Sequence, residues 1–408
     1  MSFLKFGFNQ ALLQTLHENA YEHPTLIQEQ VIPLVLEGKD VVARAQTGSG
    51  KTASFVLPII EKLIVLKSEG KPKIKVLVLT PTRELSVQVA QTFILFFESL
   101  HVKPKVVNLI GGERIGEQLY DIQQGCDVVV ATSGRLLDVM RKQQINLSHV
   151  CFFVLDEADK MLDLGFEQEL ALVLEALPQK RQNLLFSATY PPKMQDIAQK
   201  VTQAPTMVSV EKEMNIFEEI HQRAICVNHE NRSPLLRHLL HVNKWERILV
   251  FMGNKRAADN SAMKFRKHGF LAESFHGDLV QEGRTWVLDA FKKGEVKILF
   301  ATDIAARGLH IEGISCVINF DLPRSVDDYV HRIGRTGRAG KKGEAISFIG
   351  HEDKAHFELI QKRLHFLLPQ EEIEGYALTG EAVAVEKGKA PVKGKRKSKK
   401  DKLRESLS

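Results

Sequence analysis

The segment Ala45-Gln46-Thr47-Gly48-Ser49-Gly50-Lys51-Thr52 joins a short apolar run, Asp40–Ala43, to a stretch with helical spacing. Its glycines allow a tight turn whose backbone N–H groups face an anion, and the positive end of the following helix adds to the attraction. The spacing is that of a phosphate-binding loop, except that Ala45 takes the first glycine position. Lys51 is then placed to reach the β- and γ-phosphates of a nucleotide, and the Thr52 hydroxyl to face Mg²⁺. A second constellation, Asp156-Glu157-Ala158-Asp159, ends the apolar run Cys151–Leu155. Ligands on open α/β sheets sit beyond the carboxyl ends of the strands. Asp156 therefore suits Mg²⁺ held through water, and Glu157 suits orienting, or taking a proton from, a water that attacks the terminal phosphate. Taken alone, these acids fit equally a helix start favoured by its dipole; the phosphate loop upstream decides for chemistry. A third group, Arg324, Arg332, Arg335 and Arg338 with the glycines of His331–Gly340, fits an anion site better than a core, with a solvated basic surface as the alternative.

These groups need a rigid frame. Asp40–Ala43, Lys75–Thr80, Lys105–Ile110, Asp127–Ala131, Cys151–Asp156 and Asn183–Ser187 are β-rich apolar runs, continuous rather than alternating. Parallel strands covered on both faces read this way. Helical spacing lies between them, as in Leu26–Gly38 and Pro192–Val201, which predicts a doubly wound α/β sheet. The rhythm restarts after a polar stretch, with strands expected at Arg223–Asn228, Arg247–Phe251, Leu271–Phe275, Val296–Ala301, Cys316–Phe320 and Glu344–Ile349. The expected organisation is an α/β domain over 1–207, a linker over 208–217, a second α/β domain over 218–370 and a basic tail over 371–408, disordered and of low complexity at its end.

Composition agrees with a globular protein: 44% of the 408 residues are hydrophobic and 26% charged. No apolar run approaches the ~20 residues that span a bilayer, and the first residues show no signal-peptide cleavage site. Cys126, Cys151, Cys226 and Cys316 are far apart and read as buried thiols in a reducing compartment, not as a zinc site. The net charge of +6 is concentrated: Val385–Ser408 holds ten Lys/Arg against three Asp/Glu, leaving the remainder one unit negative. Such a tail holds polyanions without sequence preference.

Asp156-Glu157-Ala158-Asp159, with the phosphate loop and the motifs below in the same order, resembles the DEAD-box RNA helicases from Phe3 to about Ile349, most closely the compact bacterial members. The resemblance implies two tandem RecA-like domains. It implies that Gln28 of "AYEHPTLIQ" reads adenine, that Tyr21 stacks on it and that Phe3 packs nearby; Ala20 stands where relatives usually have glycine. Residues Ala45, Gln46, Thr47, Gly48, Ser49, Gly50, Lys51 and Thr52 would hold ATP, with Asp303 on the nucleotide side. Thr82 and Arg83 of "PTREL", Gly112 of "GG", Thr132 and Arg135 of "TSGR", Gln281 and Arg284 of "QEGR", and Thr302 would line an RNA path. Ser133 replaces the usual proline, which predicts a less rigid loop. Ser187 and Thr189 of "SAT" would couple hydrolysis to unwinding, His331 would link the second domain to the acidic loop, and Arg335 and Arg338 would be arginine fingers on the γ-phosphate. His310 stands where most relatives carry a ribose-contacting Asp, so weaker ribose discrimination is expected.

The implied activity is RNA-stimulated ATP hydrolysis with Mg²⁺, in which RNA bridging two domains closes the cleft and separates short duplexes locally. The alternatives are a non-catalytic RNA clamp or annealing protein, against which Lys51, Glu157, Arg335 and Arg338 argue, and a DNA-directed motor of the same superfamily. RNA with little sequence preference is the expected partner, with ribosomal or ribonucleoprotein particles reached through the tail. "KGKRKSKK" also fits an import signal; the bacterial resemblance favours the cytoplasm.

Overall fold

The computed structural model describes residues 2–45, 48–65, 70–98, 100, 104–210, 220–306, 311, 313–337 and 343–380. Two seven-stranded sheets account for the two halves of the chain. The first contains β1 (Val41–Arg44), β2 (Val76–Thr80), β3 (Val106–Leu109), β4 (Val128–Thr132), β5 (Phe152–Leu155), β6 (Gln182–Ser187) and β7 (Thr206–Ser209), in the order β3-β4-β2-β5-β6-β1-β7. The second contains β8 (Ile220–Cys226), β9 (Ile248–Phe251), β10 (Ala272–Phe275), β11 (Ile298–Ala301), β12 (Cys316–Asn319), β13 (Gly343–Ile349) and β14 (Gln370–Glu371), in the order β10-β11-β9-β12-β13-β8-β14. Every pairing is parallel.

Continuous apolar runs are needed because both faces of each sheet are covered. Along β2, Val76 and Val78 enter one core layer, while Leu77 and Leu79 enter the other. Along β9, Ile248 and Val250 face one layer and Leu249 and Phe251 the other. The helices Leu26–Leu36, Lys51–Val65 and Arg83–Phe97 cover one face of the first sheet. Each Val or Leu fully buried in this way contributes about 1.5–3 kcal/mol, so the strands are fixed at both faces before any loop chemistry begins. No described helix is long and apolar enough to cross a membrane.

The sequence reading needs three corrections, two of them at domain boundaries. The second domain runs to residue 380 rather than 370. Gln370 pairs with Ala224, Ile373 and Tyr376 pack on the core, and the Thr379 N–H donates to Asn228 at 2.8 Å. A two-residue strand made of Gln and Glu carries no apolar signal, so it reads as tail. At the other boundary, residues 208 and 209 belong to β7 and not to a linker; 211–219 lie outside the described residues. Cys151 is exposed at the entry to β5, whereas Cys126, Cys226 and Cys316 are buried as expected. The basic end, 381–408, lies outside the described residues.

Candidate functional site: a cleft between two sheets

The phosphate loop leaves β1 at Ala45 and enters a helix at Lys51. Gly48 and Gly50 have φ of +85° and +95°, which side chains other than glycine's adopt only with strain. At Gly50 space adds a second reason, because a Cβ there would lie 2.5 Å from Gln28 Nε2 and 2.8 Å from Thr25 Oγ1. Gln28 is buried, with Oε1 accepting from the Thr25 N–H at 2.9 Å and Nε2 donating to the Gly50 carbonyl at 3.1 Å. Its carboxamide therefore ties a helix start to the phosphate loop, a contact that motif reading misses. Tyr21, half-buried, stands edge-on to Phe96 at 5.4 Å and Phe3 at 6.5 Å. Ala20 has φ of 58°, so the place where relatives carry glycine is left-handed backbone, and alanine there costs about 1 kcal/mol. The buried Lys51 Nζ donates to the Ala45 carbonyl at 2.6 Å, across the mouth of the loop. Thr52 follows, half-buried; Gln46 and Thr47 lie outside the described residues.

The acids stand beyond the end of β5, the neighbour of β6, which pairs with β1. Asp156, Glu157 and Asp159 are all buried. Burial first, and then the Glu157 charge, raise the Asp156 carboxyl to about 6, against the pull of Lys51 and Lys160. Glu157 turns the chain with φ of 50°. Burial pushes its carboxyl up, but Lys160, Lys51 and Arg335 outweigh this and bring it to about 2. Its neighbour is thus the poorer anion, and Glu157 is charged throughout the neutral range. Asp156 and Thr52 offer the hard oxygen donors that suit Mg²⁺. A buried carboxyl with a raised pKa is one that a nearby cation would restore to its charged form, so these residues fit the ion.

Asp159 has a different task. Its Oδ2 accepts from the Ala188 N–H at 3.1 Å, the Thr189 N–H at 2.9 Å and the Thr189 hydroxyl at 3.0 Å. The Ser187 hydroxyl donates to the Thr189 carbonyl at 2.6 Å. The acidic loop and the end of β6 therefore move as one unit.

The second domain closes the other side. Arg335 is buried, and its charge acts on both Glu157 and Lys160 of the first domain. His331 is held below the usual imidazole range, by burial first and then by the Lys160 charge, with Asp159 opposing. Asp303 is gripped by Arg332 through two bonds, 2.5 and 2.7 Å, so its carboxylate is committed within the domain. Arg338 and His310 lie outside the described residues.

Several of the residues expected on the RNA path lie near Arg83. Arg83 lies against Gly111 and Gly112, where a Cβ on Gly112 would clash with its guanidinium at 2.2 Å. Arg83 is depressed by burial first, then by the Arg284 and Arg135 charges among others. Arginines from both domains thus crowd together, an arrangement that attracts anions. Arg135 donates to Gln118 Oε1 at 2.8 Å and the Glu113 carbonyl at 3.1 Å. The Thr82 hydroxyl accepts from the Leu85 N–H at 3.3 Å and caps its helix, and the Thr132 hydroxyl has a long contact of 3.5 Å to the Leu109 carbonyl. Ser133 is the first residue of the helix Ser133–Arg141, a position proline also favours. The expected looser loop is therefore an ordinary helix start. Gln281 is buried and Thr302 half-buried.

Arg284, expected on the RNA path, has protein partners in both domains. Its Nε donates to Glu84 Oε1 at 2.6 Å, across the domains, with both side chains nearly buried. Nη1 donates to the His276 carbonyl at 2.8 Å, and the guanidinium lies over Phe275. It is an interdomain latch beside the arginine cluster. A spacing of 200 residues between partners leaves no local trace in a sequence.

The DEAD/DEAH box helicase pattern matches residues 25–197, and the helicase conserved C-terminal domain matches 231–340. The chain is 38% identical over 361 residues to the ATP-dependent RNA helicase CshA of Listeria monocytogenes, covering 88% of this chain and 68% of the relative. With the DEAD-box ATP-dependent RNA helicase CshA of Bacillus subtilis it shares 39% over 362 residues, 89% of this chain and 72% of that one. Among solved structures it is similar to S. cerevisiae Dbp5 bound to RNA and ADP BeF3, with a TM-score of 0.80 at 29% identity, over 91% of this chain and 95% of the other.

Proposed function

Because the chain belongs to the DEAD-box family of ATP-dependent RNA helicases, we propose that its two domains hydrolyse ATP across the cleft when RNA holds them together. Lys51 and the loop N–H groups bind the phosphates. Gln28 and Tyr21 face the base, with Gln28 exchanging its internal bonds for adenine. Thr52 and Asp156 would hold Mg²⁺, which would supply positive charge against the phosphate oxygens. Glu157, fully charged at neutral pH, orients the attacking water, and Arg335, with Arg338, meets charge developing on the γ-phosphate. Asp159, Ser187, Thr189 and His331 transmit the state of the acidic loop to β6 and the second domain. Arg83, Arg135, Gly112, Thr132, Gln281 and Thr302 meet the RNA backbone, which gives little sequence preference. Structured RNA, or ribonucleoprotein reached through the basic end, in the cytoplasm, is the substrate we favour.

One observation carries this reading. Glu157 of the first domain lies in the field of Arg335 of the second, so the charges that hydrolysis needs come from both sides. A protein of similar fold, S. cerevisiae Dbp5, is described as bound to RNA and ADP BeF3. Glu157→Gln tests the proposal. ATP-driven separation of a short RNA duplex is expected to stop while RNA and ATP binding persist. Separation at the wild-type rate would mean that the chain works as a clamp.

A further inference from the structure

Lys160 directly follows the acidic tetrad and carries none of the roles assigned above. It is among the largest fully buried side chains, with 1% exposure. Lysine is almost never buried so completely unless it is paired. Its Nζ lies 2.6 Å from Glu157 Oε2, a close ion pair rather than a well-directed hydrogen bond. Glu157 precedes the short helix Ala158–Asp163 and Lys160 lies in its first turn, where the helical side-chain direction carries Lys160 back over Glu157. The other groups that act on Lys160 are Arg335 from the second domain, which repels it, and Asp159, which attracts it; His331 also feels its charge. Asp159 spends its Oδ2 on Ala188 and Thr189, which leaves Glu157 as the close anion.

A carboxylate that must direct a water has to be held in one orientation, because a misplaced group loses rate steeply. We propose that Lys160 is the positioning residue for Glu157: it fixes Oε2 and so leaves Oε1 to face the attacking water. This rests on Glu157 acting on that water. In this role Lys160 acts through Glu157, the carboxylate its Nζ pairs with.

Two measurements on the full chain test it. In nucleotide-free protein, thermal melting of Lys160→Met, Glu157→Gln and the double variant reads the ion pair itself. Each single change is expected to lower the melting temperature by about 5 °C or more, because one buried charge is stranded. The double change is expected to recover most of the loss, and simple additivity would overturn the pairing. In RNA-saturated ATP hydrolysis, Lys160→Met is expected to lower kcat about tenfold or more, with the ATP KM and ADP affinity within about twofold. Lys160→Arg should recover most of kcat. Where Lys160→Met fails to fold, Lys160→Gln replaces it. A wild-type kcat, or a loss of kcat that Lys160→Arg leaves uncorrected, would overturn the proposal. If Glu157→Gln itself keeps its turnover, the role of Glu157 has failed rather than that of Lys160.

Discussion

The two domains have sheets of the same strand order, yet among the described residues their corresponding strand ends differ: one carries a phosphate-loop lysine, the other an arginine tied to carboxylates. In the first, β1 leads to a helix that begins at Lys51, and β5, two strands away, ends just before Asp156. In the second, β8 leads to a helix that begins at Arg232, and β12, again two strands away, ends just before Phe320 and Asp321. Arg232 occupies the place of Lys51, and Asp321 stands close to that of Asp156. Among the described residues the Lys51 ammonium donates to the Ala45 carbonyl of its own loop, a bond that a phosphate can replace. Arg232 is sealed in, donating to the Phe320 carbonyl at 2.9 Å, to Asp321 at 3.1 Å and to Asp353. Asp321 also accepts from the Gly253 N–H at 2.7 Å. The same fold position holds a cation in both halves. Glycines keep one mouth open and acids fill the other, so activity follows the loop residues and not the sheet.

Substituting the two cations should separate these roles. Lys51→Ala is expected to reduce ATP hydrolysis by about a thousandfold while leaving the denaturant midpoint close to wild type. Arg232→Met is expected to destabilise the second domain by about 3 kcal/mol, because it strands carboxylates whose partner was buried. Urea melts and steady-state ATPase assays on both variants check this. If Arg232→Met melts like the wild type, the account of a sealed mouth fails.

Much of this contrast was open to sequence reading. The phosphate loop and acidic tetrad are local patterns at the ends of apolar strands, and buried parallel strands announce themselves by continuous runs such as Val76–Thr80. The sealing of the second mouth was not open to it. Arg232, Asp321 and Asp353 are far apart in the chain and meet only in the fold. Arg284 is placed on the RNA path only by the resemblance of "QEGR" to the family motif, and its buried partner Glu84, in the other domain, leaves no sign in the sequence. Gln28 looked like a base reader, and the structure adds that its amide is spent on Thr25 and Gly50. Lys160 went unnoticed because a lysine after acids reads as a solvated charge until its burial is known.

The latch sharpens the comparison, since it joins the open domain to the sealed one. Arg284→Ala is expected to lower RNA-stimulated ATP hydrolysis about tenfold through weaker closure, and Glu84→Ala combined with it should add little more. Full additivity in a double-mutant cycle would remove the latch. The smallest expected effect is one of pH. The Asp156 carboxyl is raised from 3.8 to about 6, so it gains a proton and loses its charge as pH falls through that value. For ATP, kcat/KM should then fall about tenfold per unit below about pH 6, with the fold checked by circular dichroism. A flat profile to about pH 4.5 would contradict the raised carboxyl.

The central claim is that charge from the second domain completes a site on the first, with RNA holding the two together. ATP turnover by the wild type and by Arg335→Ala, each with and without RNA, tests it most directly. The account predicts RNA-stimulated turnover in the wild type and, for Arg335→Ala, a loss of about a thousandfold or more that RNA does not relieve, with ATP binding retained. Wild-type turnover by Arg335→Ala in the absence of RNA would contradict it.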